Sequence, residues 1–231
     1  LAGCSSCERE ELPPIVSDRR LVVGDGFTCL LDEDRRVSCW GTDPGRGGRR
    51  FVEHVGEVRP REVTGHGPER VPELDGAIEL AASASTLLAR MGDGRVLAWG
   101  GLSPSGPTGR PEAVVVLHGA SSIAVAPGIA CGVHGEHVRC WPRDAGNAGS
   151  LESIALPVAR PARVYGGASI CVRDQEGGGG CFVRLDEGPR ALAHAWTDAA
   201  EIAAGSPPAV VTTRGTIETV GPDDPFAERG D

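Results

Sequence analysis

One pattern recurs five times along this chain. A short apolar strand ends near a glycine, a second strand follows, then a tight polar turn, then a third strand ending in an aromatic residue or valine. The copies are LVVGDGFTCLLDEDRRVSCWG (21–41), ELAASASTLLARMGDGRVLAWG (79–100), SIAVAPGIACGVHGEHVRCWP (122–142), RVYGGASICVRDQEGGGGCF (163–182) and EIAAGSPPAVVTTRGTIETVG (201–221). Their starts lie 58, 43, 41 and 38 residues apart. A unit of this length cannot bury its own apolar face, so copies must stack on one another and share a continuous core. The connections between them, such as GTDPGRGGRR after the first copy and GGLSPSGPTGRP after the second, have the Gly/Pro content of chain running over a surface. No linker separates two domains.

The cysteines follow the same repeat. Cys29 and Cys39 lie symmetrically about Asp34, so a hairpin turning there sets them opposite each other on antiparallel strands. Facing Cα atoms in a narrow antiparallel pair are about 4.5 Å apart, which a disulfide can span. Cys131 with Cys140 and Cys171 with Cys181 repeat the arrangement, whereas the second copy replaces both positions, read as Leu87 and Ala98, and the fifth has Ala209 and Thr219. Cysteines present or absent as pairs are what a bond inside one hairpin requires, and a metal site built from several copies would impose no such rule. Three disulfides are expected, each closing a loop of about 11 residues and contributing roughly 2.5 to 3 kcal/mol on the chain-entropy account.

Aromatic residues are 4% of the chain, so the core must come mainly from Val, Ile, Leu and Ala, and the disulfides offset that deficit. With 34 Gly and 18 Pro and no apolar run long enough to span a bilayer as a helix, the composition is that of a turn-rich all-β protein. The formal charge of -9 opposes a nucleic-acid backbone, so nucleic acid is not expected as a partner.

Three disulfides place the chain in an oxidising compartment. The start of the sequence agrees: LAGC (Leu1 to Cys4) resembles a bacterial lipobox, cleaved before a lipid-modified cysteine, and the residues that follow have the make-up of a tether. Residues 1–19 are therefore read as a lipobox remnant and tether, with Cys4 as the lipidation site and Cys7 left unpaired. The upstream part of the signal is absent from the sequence. The alternative is a small Cys4/Cys7 loop in a protein released from the cell. A thioredoxin-like redox pair is disfavoured, because no βαβ pattern surrounds CSSC.

The repeat also has a family likeness. GDGFTCLLDEDRRVSCWG, GDGRVLAWG and APGIACGVHGEHVRCWP resemble the repeat of the regulator of chromosome condensation (RCC1-like) family, of a bacterial secreted or lipoprotein type. RVPELDGAIELAAS (70–83) resembles that family's approach to its next repeat. The likeness runs from Arg20 to Gly221, strongest in the first three copies, and the Gly-Gln-Leu-Gly that often follows Trp-Gly in the family is missing. It implies a β-propeller of four-stranded antiparallel blades, assigned here to residues 20–231 as a single propeller. Family members usually have seven blades, but seven would leave 33 residues each against an observed mean spacing of 45, so five are expected.

Other motifs are weighed against plainer roles. HGEH (134–137) offers two imidazoles and a carboxylate, yet it occupies the hairpin turn of the third copy. EGGGG (176–180) occupies the same turn in the fourth and lacks the helix N-terminus of a phosphate loop. Arg46, Arg49 and Arg50 form a candidate partner-binding loop, although Glu53, Glu57, Glu62 and Glu69 nearly cancel the local charge. No Ser/His/Asp or Cys/His constellation stands out, so no catalytic residue, metal ligand or cofactor is assigned. The expected function is a non-enzymatic propeller that is lipid-anchored to the bacterial envelope, or secreted, and binds a protein or polysaccharide through its loops. The alternatives are a lyase or hydrolase on the same scaffold, and an exchange-factor activity of the kind best known in the family.

Overall fold

The structure, a computed structural model, describes residues 21–41, 68–103, 110–114, 117–142, 154–156, 158–185, 188–205 and 208–219. It is all-β, with no α-helix among the described residues. Strands β1 (Leu21–Val23), β2 (Phe27–Leu31), β3 (Val37–Gly41) and β4 (Glu69–Arg70) form the first sheet, in that order. After a 3-10 turn at Pro72–Leu74, β5 (Ala77–Ser83), β6 (Thr86–Met91), β7 (Val96–Gly100) and β8 (Glu112–Ala113) form the second. The third comprises β9 (Ser122–Ala126), β10 (Ile129–His134), β11 (His137–Pro142) and β12 (Ile154–Leu156). The fourth comprises β13 (Pro161–Gly166), β14 (Ile170–Asp174), β15 (Gly179–Leu185) and β16 (Gly188–Trp196). The fifth has β17 (Ala199–Ala203), β18 (Ala209–Thr212) and β19 (Ile217–Thr219). Every pairing is antiparallel between sequence neighbours, the blade arrangement of a propeller.

The second, third and fourth sheets bury both of their faces against their neighbours, and the first strand of each sheet packs on the first strand of the next. Side-chain alternation makes this possible. In the second sheet Leu80, Leu87, Ala89, Leu97 and Trp99 point back to the first, in one core with Phe27, Leu31 and Val37. Ala81, Leu88, Val96 and Ala98 point forward to Ile123, Val125 and Ala130 of the third. The third and fourth sheets meet through Val133, Val138, Val164, Ile170 and Phe182, and the fourth and fifth through Tyr165, Trp196, Ile202 and Val210.

The three disulfides form within hairpins, joining Cys29 to Cys39, Cys131 to Cys140 and Cys171 to Cys181 across Cα separations of 4.1, 4.0 and 3.9 Å. Each bonded pair faces across its ladder and is fully buried on the forward face of its sheet. The cross-links therefore lie inside the packing between consecutive blades.

One alignment in the sequence reading needs correction. In the second copy the position of Cys29 is held by Leu88, not Leu87: Leu88 faces Ala98, while Leu87 faces Trp99. The first two hairpins have the same length. At the first strand, Leu80, and not Glu79, occupies the place of Leu21. Ala209 does face Thr219 in the fifth.

Candidate binding surface

Antiparallel blades present two edges, and the chain treats them differently. At one edge lie the turns between second and third strands together with the connections entering the next sheet. These are tied to each other by backbone hydrogen bonds: Gly76 N–H donates to the Arg35 carbonyl at 2.8 Å, Gly119 to Gly94 at 2.8 Å and Ala199 to Gly177 at 2.7 Å. Arg35, Gly94 and Gly177 share one place in their turns and a left-handed backbone, with φ of 59°, 87° and 88°.

Five ion pairs lie on this edge. Arg36 meets Asp34 at 3.1 Å, Arg70 meets Asp75 at 2.5 Å, Arg95 meets Asp93 at 2.7 Å and Arg214 meets Asp198 at 3.3 Å, while Arg160 pairs with Glu176. Hydrogen bonds from the Arg95 backbone and side chain hold the Asp93 carboxyl below its ordinary range, and the Asp75 carboxylate raises Arg70. An edge of exposed, self-neutralised pairs offers little net field to a partner.

HGEH and EGGGG both fall here. His134, Gly135, Glu136 and His137 form the β10–β11 turn, with His134 half-buried and the other three exposed. Burial pushes the His134 imidazole below its ordinary value, and the charge of Arg139 and neighbouring His118 add to the effect. In the β14–β15 turn, Asp174 Oδ1 accepts from the backbone N–H of Glu176 at 2.9 Å and of Gly178 at 2.7 Å. The amide groups that could have cradled a phosphate are thus taken by the turn's own aspartate. Among the described residues no group of three or more His, Cys, Asp or Glu side chains could hold a metal ion.

The opposite edge carries the turns between first and second strands and the longer connections. The chain leaves β3 at Gly41, β7 at Gly100 and β11 at Pro142, all at this edge. Gly41, the glycine of the Trp-Gly pair, has φ of +100°, and a Cβ there would lie 2.2 Å from the Gly26 carbonyl oxygen. The end of β3 therefore lies tight against the β1–β2 turn. Arg46, Arg49 and Arg50 belong to that loop and lie outside the described residues, as do Cys4 and Cys7.

Two polar clusters join blades without any motif in the sequence to announce them. Buried Glu79 on β5 accepts from Arg90 Nε at 2.7 Å, and its other carboxylate oxygen accepts from Ser122 Oγ and the Ile123 N–H, both at 3.3 Å. Ser122 Oγ in turn accepts from the Val164 N–H at 3.4 Å, so one carboxylate and one hydroxyl link the second, third and fourth blades. The second cluster sets the Arg163 guanidinium 5.5 Å from the centre of the Tyr165 ring and 3.6 Å from Glu201 of the fifth blade. Burial, reinforced by the Glu201 charge, pushes the Tyr165 phenol up. Both clusters fix one blade against the next and hold no feature of a reaction centre.

No protein-family model matches the chain, and no curated protein does. Solved structures do. The chain is similar to Prp20p of Saccharomyces cerevisiae, described with its binding to Gsp1p and histones, at 18% identity and a TM-score of 0.63 over 86% of this chain and 57% of that one. It is similar to yeast RCC1 (Prp20) bound to Kap60, at 18% identity and a TM-score of 0.64 over 92% and 58% of the two chains. Human WBSCR16 matches at 15% identity and a TM-score of 0.58 over 80% and 55%. The chain has an RCC1-like repeat fold. It spans a little over half the length of these relatives. Within the first RCC1-like blade, the Trp-Gly glycine sets the end of β3 against the β1–β2 turn, and a disulfide cross-links the same hairpin.

Proposed function

We propose that this chain is a non-enzymatic propeller scaffold, anchored to the bacterial envelope through Cys4, that binds a protein partner with the loops leaving β3, β7 and β11. The observation that carries the proposal is the inequality of the two edges. Both edges are hydrogen-bonded from blade to blade, but one carries short turns with ion pairs among them, whereas the other carries the longer connections, including the one with Arg46, Arg49 and Arg50. Binding surfaces concentrate on loops held by a rigid scaffold. The partners described for Prp20p (Gsp1p, histones and Kap60) are proteins, which favours a protein over a polysaccharide. Three disulfides and the LAGC sequence support a location outside the cytoplasm.

Two experiments test the two halves. Fatty-acid labelling of the product expressed from its full gene should label the wild type and not Cys4→Ala. An unlabelled wild type removes the anchor. In a pull-down from envelope extract, the wild-type chain should retain a discrete protein that a triple Arg46→Ala, Arg49→Ala, Arg50→Ala variant retains less well. Retention of polysaccharide alone, or equal retention by both forms, overturns the assignment of partner and loop.

A further inference from the structure

The blade-to-blade interface recurs four times among the described residues, and the two outermost faces of the series carry exposed apolar side chains. The backward-facing positions are Leu21 and Leu30 in the first blade, Leu80 and Ala89 in the second, Ile123 and Gly132 in the third, Val164 and Val172 in the fourth, and Ile202 and Val210 in the fifth. They are buried in blades two to five, each against the preceding blade. In the first blade Leu21 is 57% exposed and Leu30 38%, and Val23 on the same face is 63% exposed.

The forward faces mirror this. Leu31 faces Val37 in the first blade and Val133 faces Val138 in the third, all buried under the next blade. The same pair in the fifth blade is Val211 and Ile217, which are 40% and 72% exposed. The fifth blade has therefore kept apolar residues at positions that a following blade covers elsewhere. In repeat arrays an unpartnered outer face is usually polar, whereas these two outermost described faces expose Leu21, Val23 and Leu30 on one and Val211 and Ile217 on the other.

We propose that the Val211/Ile217 face of one copy docks on the Leu21/Val23/Leu30 face of a second copy of this chain. The contact continues the established interface: it presents a forward blade face to a backward blade face, as the chain itself does four times. It is heterologous, so any open assembly keeps one free forward face and one free backward face, and it grows into a filament unless a ring closes.

Sedimentation of the purified chain over a range of concentrations tests this, together with Val23→Asp and Ile217→Asp. Both substitutions fall on exposed side chains, and an unchanged melting temperature verifies that each variant folds. Wild-type mass should rise with concentration. Each variant alone should be monomeric, its association weakened on the order of a hundredfold by a charge placed in an apolar contact. An equimolar mixture of the two variants should form a dimer and nothing larger, because one intact forward face and one intact backward face remain. A wild type monomeric at all concentrations, as when another segment or protein covers the ends, overturns the proposal. So does a variant that still associates like the wild type, or a mixture that stays monomeric.

Discussion

Single residues show where this repeat has been relaxed and where it is pinned. The turn position filled by Gly94, Gly177 and Gly215 in three other blades is Arg35 in the first, at a φ of 59°. A left-handed backbone costs an L-residue roughly 1 to 2 kcal/mol, and glycine gives back part of that in unfolded-state entropy. Arg35→Gly should therefore stabilise the protein by about 0.5 to 1 kcal/mol, read as a rise in urea midpoint at constant m-value. Glu79 is the opposite case. Glu79→Ala would leave the Ile123 amide, Ser122 and Arg90 without their shared acceptor, and the expected loss is about 2 to 4 kcal/mol in the same measurement. His134 sets a pH dependence. Its folded-state imidazole is depressed by burial, so the unfolded chain binds more protons below the ordinary value of about 6.5, and stability must fall as pH drops through that value. The fall levels off once pH passes below the depressed value of the folded form. Thermal melts at pH 7.5 and in steps below 6.5 should show a smaller acid-side loss for His134→Gln than for wild type.

At the scale of the element, the hairpin is what the sequence declares most clearly. Cysteines that come and go in pairs fix a cross-strand register by themselves, and the structure joins the three pairs. Where the cysteines are missing, the register is harder to read: Leu87 and Leu88 are both apolar because the sheet is buried on both faces, and alternation no longer says which of them faces Ala98. The fourth strands were invisible for another reason. β4 and β8 are two residues long, too short to carry a pattern, and β16 lies beyond the recognisable copy. Glu79 looked like the polar start of a strand, and only the fold brings Arg90 and Ser122 to it. Two outcomes follow for the hairpins. Replacing Cys29 and Cys39 together by Ala should cost about 2.5 to 3 kcal/mol in denaturant unfolding. Leu88→Cys combined with Ala98→Cys should close a fourth bridge at the equivalent position, detected as no gain in free thiols over the wild type under denaturing conditions. Two extra thiols would refute the register.

For the molecule as a whole, the described residues form a line of blades in which most packing is between neighbours, with a smaller contact between the second and fourth blades. Stability in such an array is a sum of unit and interface contributions, so the units with one neighbour are the weakest. The fifth blade has three described strands and an exposed forward face, and its β19 is exposed along its length. Native-state hydrogen exchange should therefore be fastest in β18 and β19 and slowest in β6 and β10, which are buried between blades on both sides. Uniform protection across the five blades would show that the array opens as one unit. The sequence could not foretell this gradient, because Leu21, Val211 and Ile217 are the residue types any strand would carry, and their exposure depends on which blades stand next to them.

The placement of the disulfides inside hairpins also bears on how the protein matures. Six cysteines permit 15 pairings, yet the native partners are separated by only 9 or 10 residues, and closing a short loop costs less entropy than joining distant ones. Each bond can be made as its own hairpin forms, before the next blade arrives to bury it. Correct oxidation is thus written into chain order, and a passing oxidant suffices where a long-range framework would require shuffling.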